Sequence, residues 1–560
     1  MDVPEYIKNR HWKDYLPEGV PLELEIPEKI SLCDLIEKYF EEYKNKTFIV
    51  YDNEEYTYKH IQELTLRFSN TLLKLGLKKG DVVSLWLTNC PHFIISYFAV
   101  LCLGGTVTAI SPLYIAREVA YQIRDSGTKY LIMIDSLFSE FKKVEDQLAL
   151  EKVILINLKD ETPIKTKTDK LIYFNTLMDQ NPEPFPIPDI KINPKNDIAV
   201  IQYTGGTTGH PKGACLSHFN LVANSLQFKQ VNEYLKDKFL KEDLVSIFVL
   251  PWYHIFGQIV ELVSAFFIGS KAFVLNGFNL EKIYEILKKY KPNSLFGVPT
   301  MYISLLRSSL NENVDISCLK STHVGATPMP IEAAKEWENR TGFALGEGYG
   351  LTEASPGVAI SPPWSKKKLG SCGHPLPNTL VGIANERLEF LPFDNAGELV
   401  VSGPQVMMGY HNSPEENKRV FFEAGGYRWL RTGDLAKIDE EGYIYILDRI
   451  KDMIKYKGHS VYPREVEEVL YEHPAVLECC VIGVQDPIKG EDIKAYIVLH
   501  NEYKDKVSEL EIINWSKEKI AAYRYPRIIE FVNQLPKSPA GKILRRKLRE
   551  NERKKKKHND

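Results

Sequence analysis

The run Tyr203-Thr204-Gly205-Gly206-Thr207-Thr208-Gly209-His210-Pro211-Lys212-Gly213 packs four glycines, three threonines and one lysine into eleven residues. Glycine lets a backbone approach a ligand closely and adopt positive φ. Successive backbone N–H groups can then line an anion-binding concavity, with threonine hydroxyls and Lys212 as further donors. The preceding Ile198-Ala199-Val200-Ile201-Gln202-Tyr203 is apolar enough for a buried strand. A phosphate-cradling loop at a strand end is the predicted arrangement, as in nucleotide-binding α/β folds. It is not a P-loop of the G-x-x-x-x-G-K-[ST] kind, because Pro211 precedes Lys212 and Gly213 follows it.

The alternation on either side supports an α/β class. Ile61, Leu64, Phe68, Leu72 and Leu75 share one helical face, with Thr57 as N-cap and Gly76 as stop. A strand at 82–87, a helix at 93–103, a strand at 107–110, a helix near 116–126 and a strand at 130–134 follow. Phe93 to Ile110 carries no charge, but Gly104-Gly105 and Pro112 make it a buried helix and strand rather than a membrane span. Residues 160–195 read as an extended linker with a proline-spaced run. Beyond the loop come a strand at 246–250, a helix reaching Phe267, a helix at 280–290, a strand at 294–297 and a helix at 300–310. Strands at 386–390, 397–402 and 443–447 precede a charged stretch at 448–457. A compact tail then holds a helix opened by Pro463, strands at 476–484 and 495–499, and a helix capped by Ser508. The predicted division is a large domain at 1–450 and a small one at 451–560.

At 560 residues, 44% hydrophobic and 26% charged, this is the composition of a soluble globular protein with ample core. A net charge of −3 gives no argument for nucleic-acid binding. Eight scattered cysteines without C-x-x-C spacing point to reduced thiols in the cytoplasm rather than a disulfide framework or zinc site. No secretory signal is visible at the start. From Lys542 to Lys557 there are ten Lys/Arg against two Glu. The expectation there is a disordered tail, with weak attraction to anionic membrane as the lesser reading.

Five further stretches carry candidate chemistry. Pro251-Trp252-Tyr253-His254-Ile255-Phe256-Gly257 is an aromatic segment whose histidine is, by itself, a packed core residue. Gly325-Ala326-Thr327 is a short tripeptide paired with the next stretch. Gly348-Tyr349-Gly350-Leu351-Thr352-Glu353 offers a ring able to stack on a purine and a carboxylate able to hold Mg²⁺ with phosphate oxygens. Arg431-Thr432-Gly433-Asp434-Leu435 offers an acid able to accept two sugar hydroxyls, and Asp448-Arg449-Ile450-Lys451-Asp452 follows it. Pro536-Lys537-Ser538-Pro539-Ala540-Gly541-Lys542 ends on what would, alone, be a surface lysine.

Taken with the loop, and in this order over nearly the whole chain, these stretches resemble the adenylate-forming superfamily, in particular its acyl-CoA synthetase branch. The turn at 325 departs from the more usual Gly-Ala-Pro. The resemblance implies that Thr204, Gly205, Gly206, Thr207, Thr208, Gly209 and Lys212 hold the β/γ-phosphates of ATP. It implies that Tyr349 packs on the adenine, that Gly325, Ala326, Gly348 and Gly350 also bind ATP/AMP, and that Asp434 with Arg449 holds the ribose. Thr352 would touch the α-phosphate and Glu353 hold Mg²⁺. Trp252 and His254 would belong to the acyl pocket and its gate. Lys451 would be a hinge, Gly458 would border the CoA channel, and Lys542 would be the mobile catalytic lysine.

The implied reaction joins a carboxylic acid to CoA through an acyl-AMP, with pyrophosphate released. An amino-acid substrate is disfavoured, because no aspartate lies between Leu244 and Phe278 to hold an amino group. The apolar residues around 252–267 favour a medium- or long-chain fatty acid over an aryl or short hydroxy acid. A non-catalytic nucleotide-binding scaffold is the reading from another class. A homodimer is compatible with the sequence, and no integral membrane segment or nucleic-acid partner is expected.

Overall fold

The computed structural model describes residues 2–158, 170–186, 190–204, 211–308, 314–457, 459–486, 490–537 and 542–559. Most of the glycine-rich loop (205–210), Gly458 and the segment 538–541 therefore lie outside the described residues.

Among the described residues the strands form four sheets. In the first, Val82–Trp86 lies between Thr106–Ala109 and Thr128–Ile134, all parallel. Ile198–Thr204 continues the parallel order beyond Thr106–Ala109. These strands are rich in Val, Ile and Leu and buried nearly throughout, as required when both faces are covered. The charge-free stretch supplies Pro91–Cys102, a helix buried on nearly every side, followed by the strand Thr106–Ala109. No helix among the described residues is long and apolar enough to cross a membrane.

The second sheet runs Val245–Phe248, Ser294–Gly297, Ser321–Val324 and Gly346–Gly350 in parallel, and one apolar core joins it to the first. A third, antiparallel sheet contains Gly397–Ser402, Tyr427–Ile438 and Ile444–Arg449. The fourth belongs to the small C-terminal domain, whose core gathers Ile454, Val461, Val466, Leu470, Val481, Ile493 and Ile529. The mixed α/β class, with a large N-terminal and a small C-terminal domain, is the one expected. The candidate segments after Thr204, Phe248, Val324 and Gly350 leave the carboxyl ends of parallel strands, where open α/β sheets bind ligands.

Local chemistry explains the elements that match. Thr57 accepts the N–H of His60 and starts the helix Tyr58–Lys74, and Gly76 follows its end at φ +95°. Ser508 accepts the N–H of Glu511. Three expectations fail. Residues 386–390 form a turn, not a strand: Asn385 accepts the N–H groups of Arg387 and Glu389, and Leu388 sits at φ +63°. The strand there is Leu380–Ala384. Within 160–195, Leu171–Tyr173 adds a parallel edge strand and Phe174–Gln180 a helix. The helix expected to reach Phe267 is present, wound as π-helical turns over Gly257–Val263 and as α over Ser264–Phe266. The basic tail is a helix, Arg545–Asn559, held by burial of Leu548 beside Ile482 and Tyr496. Glu552 fixes it further, accepting the Tyr496 hydroxyl at 2.5 Å and pairing with Lys494 at 3.0 Å.

The glycine-rich hairpin hands the chain to a well-capped helix. Ser217 caps His218–Tyr234 by accepting the N–H of Asn220 at 3.1 Å. Asn220 in turn donates to the carbonyls of Pro404 and Val406, at 2.8 and 2.9 Å. Ser217→Ala is expected to remove about 1 kcal/mol of local stability. Hydrogen exchange should read this as a roughly fivefold loss of protection at the Asn220 amide; unchanged protection would mean that the cap contributes nothing there.

Candidate active site

The hairpin places Thr204 opposite Lys212, at the two feet of the glycine-rich loop. Gly205, Gly206, Thr207, Thr208 and Gly209 lie outside the described residues. Lys212 Nζ is 2.6 Å from Glu416 and lies 5.4 Å above the ring of Tyr410. Just behind, the Tyr203 hydroxyl donates to Asp125 at 2.5 Å, and burial followed by that carboxylate pushes its phenol well above the ordinary range.

Gly346–Gly350 leads into a 3-10 turn, Thr352–Ala354, that carries Thr352 and Glu353. The backbone there is threaded tightly: a Cβ on Gly350 would lie 2.3 Å from the carbonyl oxygen of Pro356. The Tyr410 hydroxyl donates to Glu353 at 2.6 Å, and the Met407 N–H donates to the Glu353 carbonyl at 2.8 Å. Burial first, and then Glu353, push the Tyr410 phenol up. One tyrosine therefore touches both the candidate metal carboxylate and the candidate phosphate lysine.

Across the third sheet, register sets Asp434 opposite Arg449. Asp434 is 3% exposed, yet it is satisfied by Arg449 at 2.6 Å and by the Tyr349 hydroxyl, also at 2.6 Å. A buried carboxylate needs such partners, since an isolated one is costly. The turn that presents it is held from the neighbouring strand. Glu398 accepts the Gly433 N–H at 3.0 Å and pairs with Arg431 at 2.7 Å. Burial works against the charge of Arg449, but Asp434, Tyr349 and Glu353 outweigh it.

The segment Pro251–Gly257 is clamped from three sides. Asn89 accepts the Trp252 N–H and donates to the Leu250 carbonyl, both at 2.9 Å. Glu261, fully buried, accepts the N–H groups of Val249 and Leu250 at 3.1 and 3.0 Å. Gln202 donates to the Tyr253 carbonyl and accepts from Gln258, both at 3.0 Å. Trp252 packs into the core against Phe93 and Phe248. His254 is half-buried, and burial followed by the nearby Lys542 pulls its imidazole down to about 4. The ring of Phe256 lies against Gly325, where a Cβ would approach it to 2.9 Å, and Ala326 turns at φ +67°.

Lys542 comes from the small domain. Solvent still reaches its side chain, but it lies in a cleft crowded by protein. That crowding, and then Arg449, pull its amine down to about 8, while Asp434 opposes them. Lys451 is likewise lowered to about 8, chiefly by desolvation. The structure thus brings Tyr349, Asp434, Arg449, Lys542 and His254 into one electrostatic neighbourhood. Glu353 joins it through Arg449 and meets Lys212 through Tyr410. Gly458 lies outside the described residues.

Sequence reasoning gave no role to Tyr410, Glu416, Asp125 or Glu398. The pairing of Gly409–Tyr410 with Cys215 and Ala214 on the hairpin is a long-range fact that no local pattern reports. Among the described residues no cluster of three or more metal-ligating side chains occurs. Glu353, oriented by Tyr410, is still the kind of lone carboxylate that suits Mg²⁺ when substrate phosphates supply further oxygens.

Residues 36–411 match the AMP-binding enzyme family model, and residues 465–542 match that of the AMP-binding enzyme C-terminal domain. The chain is 37% identical to the long-chain-fatty-acid–CoA ligase of Bacillus subtilis, covering 97% of this chain and 98% of that one. It superposes on ATP-bound MatB from Rhodopseudomonas palustris with a TM-score of 0.82 at 28% identity, covering 93% and 99% of the two chains. It superposes on the anthranilate CoA ligase AuaEII, solved with anthranoyl-AMP, with a TM-score of 0.83 at 26% identity, covering 94% and 98%.

The lowered Lys542 amine has a direct consequence. With its proton affinity centred near pH 8 instead of 10.5, half of it is free base where an ordinary lysine is still charged. Protein crowding around the charged amine opposes its placement in the cleft fully below about pH 8, and the opposition fades between there and 10.5, the ordinary lysine value. Reductive methylation read by mass spectrometry should therefore reach half-maximal rate at Lys542 near pH 8. At neutral pH it should label Lys542 roughly tenfold or more faster than exposed lysines. A profile centred near 10.5 would show that the cleft does not hold the amine.

Proposed function

This chain belongs to the AMP-binding enzyme family as an ATP-dependent, AMP-forming acid–thiol ligase, and on that premise we propose that it converts medium- or long-chain fatty acids to acyl-CoA. The observation that carries the site reading is the placement of Lys542. A lysine of the small domain stands in the same cleft as the Asp434–Arg449 pair of the large one.

A carboxylate is a poor electrophile, so its oxygen first attacks the α-phosphorus of ATP, giving acyl-AMP and pyrophosphate. The protein's part is positioning and charge neutralisation. Tyr349 packs on the adenine, framed by Gly348, Gly350, Gly325 and Ala326. Asp434 accepts the ribose hydroxyls, with lone pairs to spare beyond its bonds to Tyr349 and Arg449. Lys212, with Thr204 and the glycine-rich loop, holds the β- and γ-phosphates. Thr352 donates to the α-phosphate. Glu353 would hold Mg²⁺, which would supply charge neutralisation for the phosphates. Lys542 meets the charge that develops around the α-phosphate and the acyl carboxylate, a task that needs it protonated. Phosphate oxygens favour that form and offset the cleft's depressing effect.

For the second step we place the domain boundary at Lys451, between residues 1–450 and 451–560. The small domain turns there, withdraws Lys542 and brings Gly458 beside the incoming pantetheine arm. The CoA thiolate then displaces AMP, so that one cleft serves two chemistries by exchanging its lid. Trp252 and His254 belong to the wall and gate of the acyl pocket. A second reading, an aryl or short hydroxy acid, draws on the buried Gln202–Gln258 amide pair beside Tyr253, which suits a polar substituent better than a methylene chain. We place the enzyme in the cytoplasm.

A panel of carboxylic acids supplied with MgATP and CoA, scored by AMP release, tests the substrate. Medium- and long-chain fatty acids should lead. Preferential turnover of benzoates, cinnamates or short hydroxy acids would replace this reading with the second.

Lys542→Ala should lower carboxylate-dependent ATP–pyrophosphate exchange by about a hundredfold or more, while thioester formation from supplied acyl-AMP persists. Equal loss of both half-reactions would refute the role given to Lys542.

A further inference from the structure

Glu416 has no part in the reaction as described, yet it makes the closest contact to Lys212. The strand Gly409–Tyr410 pairs antiparallel with Lys212–Ser217, and Ser413 then leads into the helix Pro414–Val420. Asn417 clamps helix to strand, accepting the Tyr410 N–H at 2.7 Å and donating to its carbonyl at 3.0 Å. This geometry delivers Glu416, in the helix's first turn, to within 2.6 Å of Lys212 Nζ. The second carboxylate oxygen lies 3.3 Å from Arg419. Side-chain exposures of 21% for Lys212 and 26% for Glu416 make this a partly desolvated pair rather than a solvated surface one. Arg419, by contrast, is 76% exposed.

We propose that Glu416 is an internal counter-anion that occupies Lys212 when no polyphosphate is bound, yields it to ATP, and reclaims it as pyrophosphate leaves. This rests on the reading of Lys212 as the lysine that holds the β- and γ-phosphates. A polyphosphate on Lys212 faces a fixed negative charge beside it, and like charges at this range oppose each other. Glu416 has an alternative already in contact: it keeps Arg419 as it gives up Lys212, so that neither carboxylate nor lysine is left unpaired in either state. The Lys212 contact is the leading reason the Glu416 carboxyl is held below its usual range, so the carboxylate stays charged through neutral pH. The consequence is symmetric. Glu416 weakens both ATP and pyrophosphate, since both use Lys212, and leaves acid and CoA untouched. Product release gains what substrate binding gives up.

The isosteric Glu416→Gln variant tests this on the full chain. ATP and inorganic pyrophosphate, each with Mg²⁺ and without acid so that nothing turns over, are titrated by calorimetry. Steady-state KM values for ATP, acid and CoA are measured alongside. Both dissociation constants and the KM for ATP should fall by about three- to tenfold, and pyrophosphate should inhibit more strongly by the same factor. KM for acid and CoA should not move, and Glu416→Asp should stay near wild type. Unchanged or weaker ATP and pyrophosphate binding by Glu416→Gln overturns the proposal. Lys212→Ala separates the two layers of the inference. If Lys212→Ala binds pyrophosphate as well as wild type, the phosphate role of Lys212 falls and the proposal falls with it. If Lys212→Ala loses binding while Glu416→Gln gains none, only the role of Glu416 is overturned.

Discussion

The site is built around a carboxylate that cannot be left alone. Asp434 is almost wholly buried, and burial of an unpaired charge costs far more than a domain can spare. Arg449 meets it because two adjacent strands of the third sheet set them in register, and Tyr349 reaches it from the second sheet. The pair therefore ties two sheets together through one carboxylate. Arg449 ends its strand two residues before Lys451. The field of the ion pair also acts on Lys542, repelled by Arg449 and attracted by Asp434.

A second economy governs the phosphate side. Among the described residues, the candidate charged groups there are already matched. Lys212 has Glu416, Glu353 has the Tyr410 hydroxyl, and Tyr410 lies under Lys212. Charges held in a part-buried cleft without partners would distort it or shift their protonation. Such matching keeps the side chains in place without a ligand, but it means that a ligand must displace something. The lowered amine of Lys542 is the counterpart contributed by the C-terminal part of the chain: crowding weakens the cation where the cleft supplies too little negative charge.

Where sequence reasoning failed, the failures share a cause. The basic tail has the composition of a disordered segment, but Leu548 finds a pocket beside Ile482 and Tyr496, and Glu552 receives Tyr496 and Lys494. Residues 386–390 alternate like a strand, yet the Asn385 side chain captures two backbone N–H groups and turns the chain. Phe174–Gln180 is too short to stand out from a linker until Phe174 and Leu177 bury in the core. In each case a contact distant in sequence, or a side chain bonding its own backbone, outweighed local pattern.

The sequence by itself carried the resemblance to the family, pointed to the α/β class, and marked Lys212, Glu353, Asp434 and Lys542 as candidates. The α/β class follows from local periodicity, and the candidates come from motifs that resemble the family's. Only the tertiary structure decided which charges answer one another. That Tyr410 spans Lys212 and Glu353, that Glu416 holds Lys212, and that Glu398 braces the turn before Asp434 all depend on strand pairings between residues far apart in the chain. A sequence lists charges, but the energy of a charge is set by its neighbours in space and by how much water the fold leaves around it.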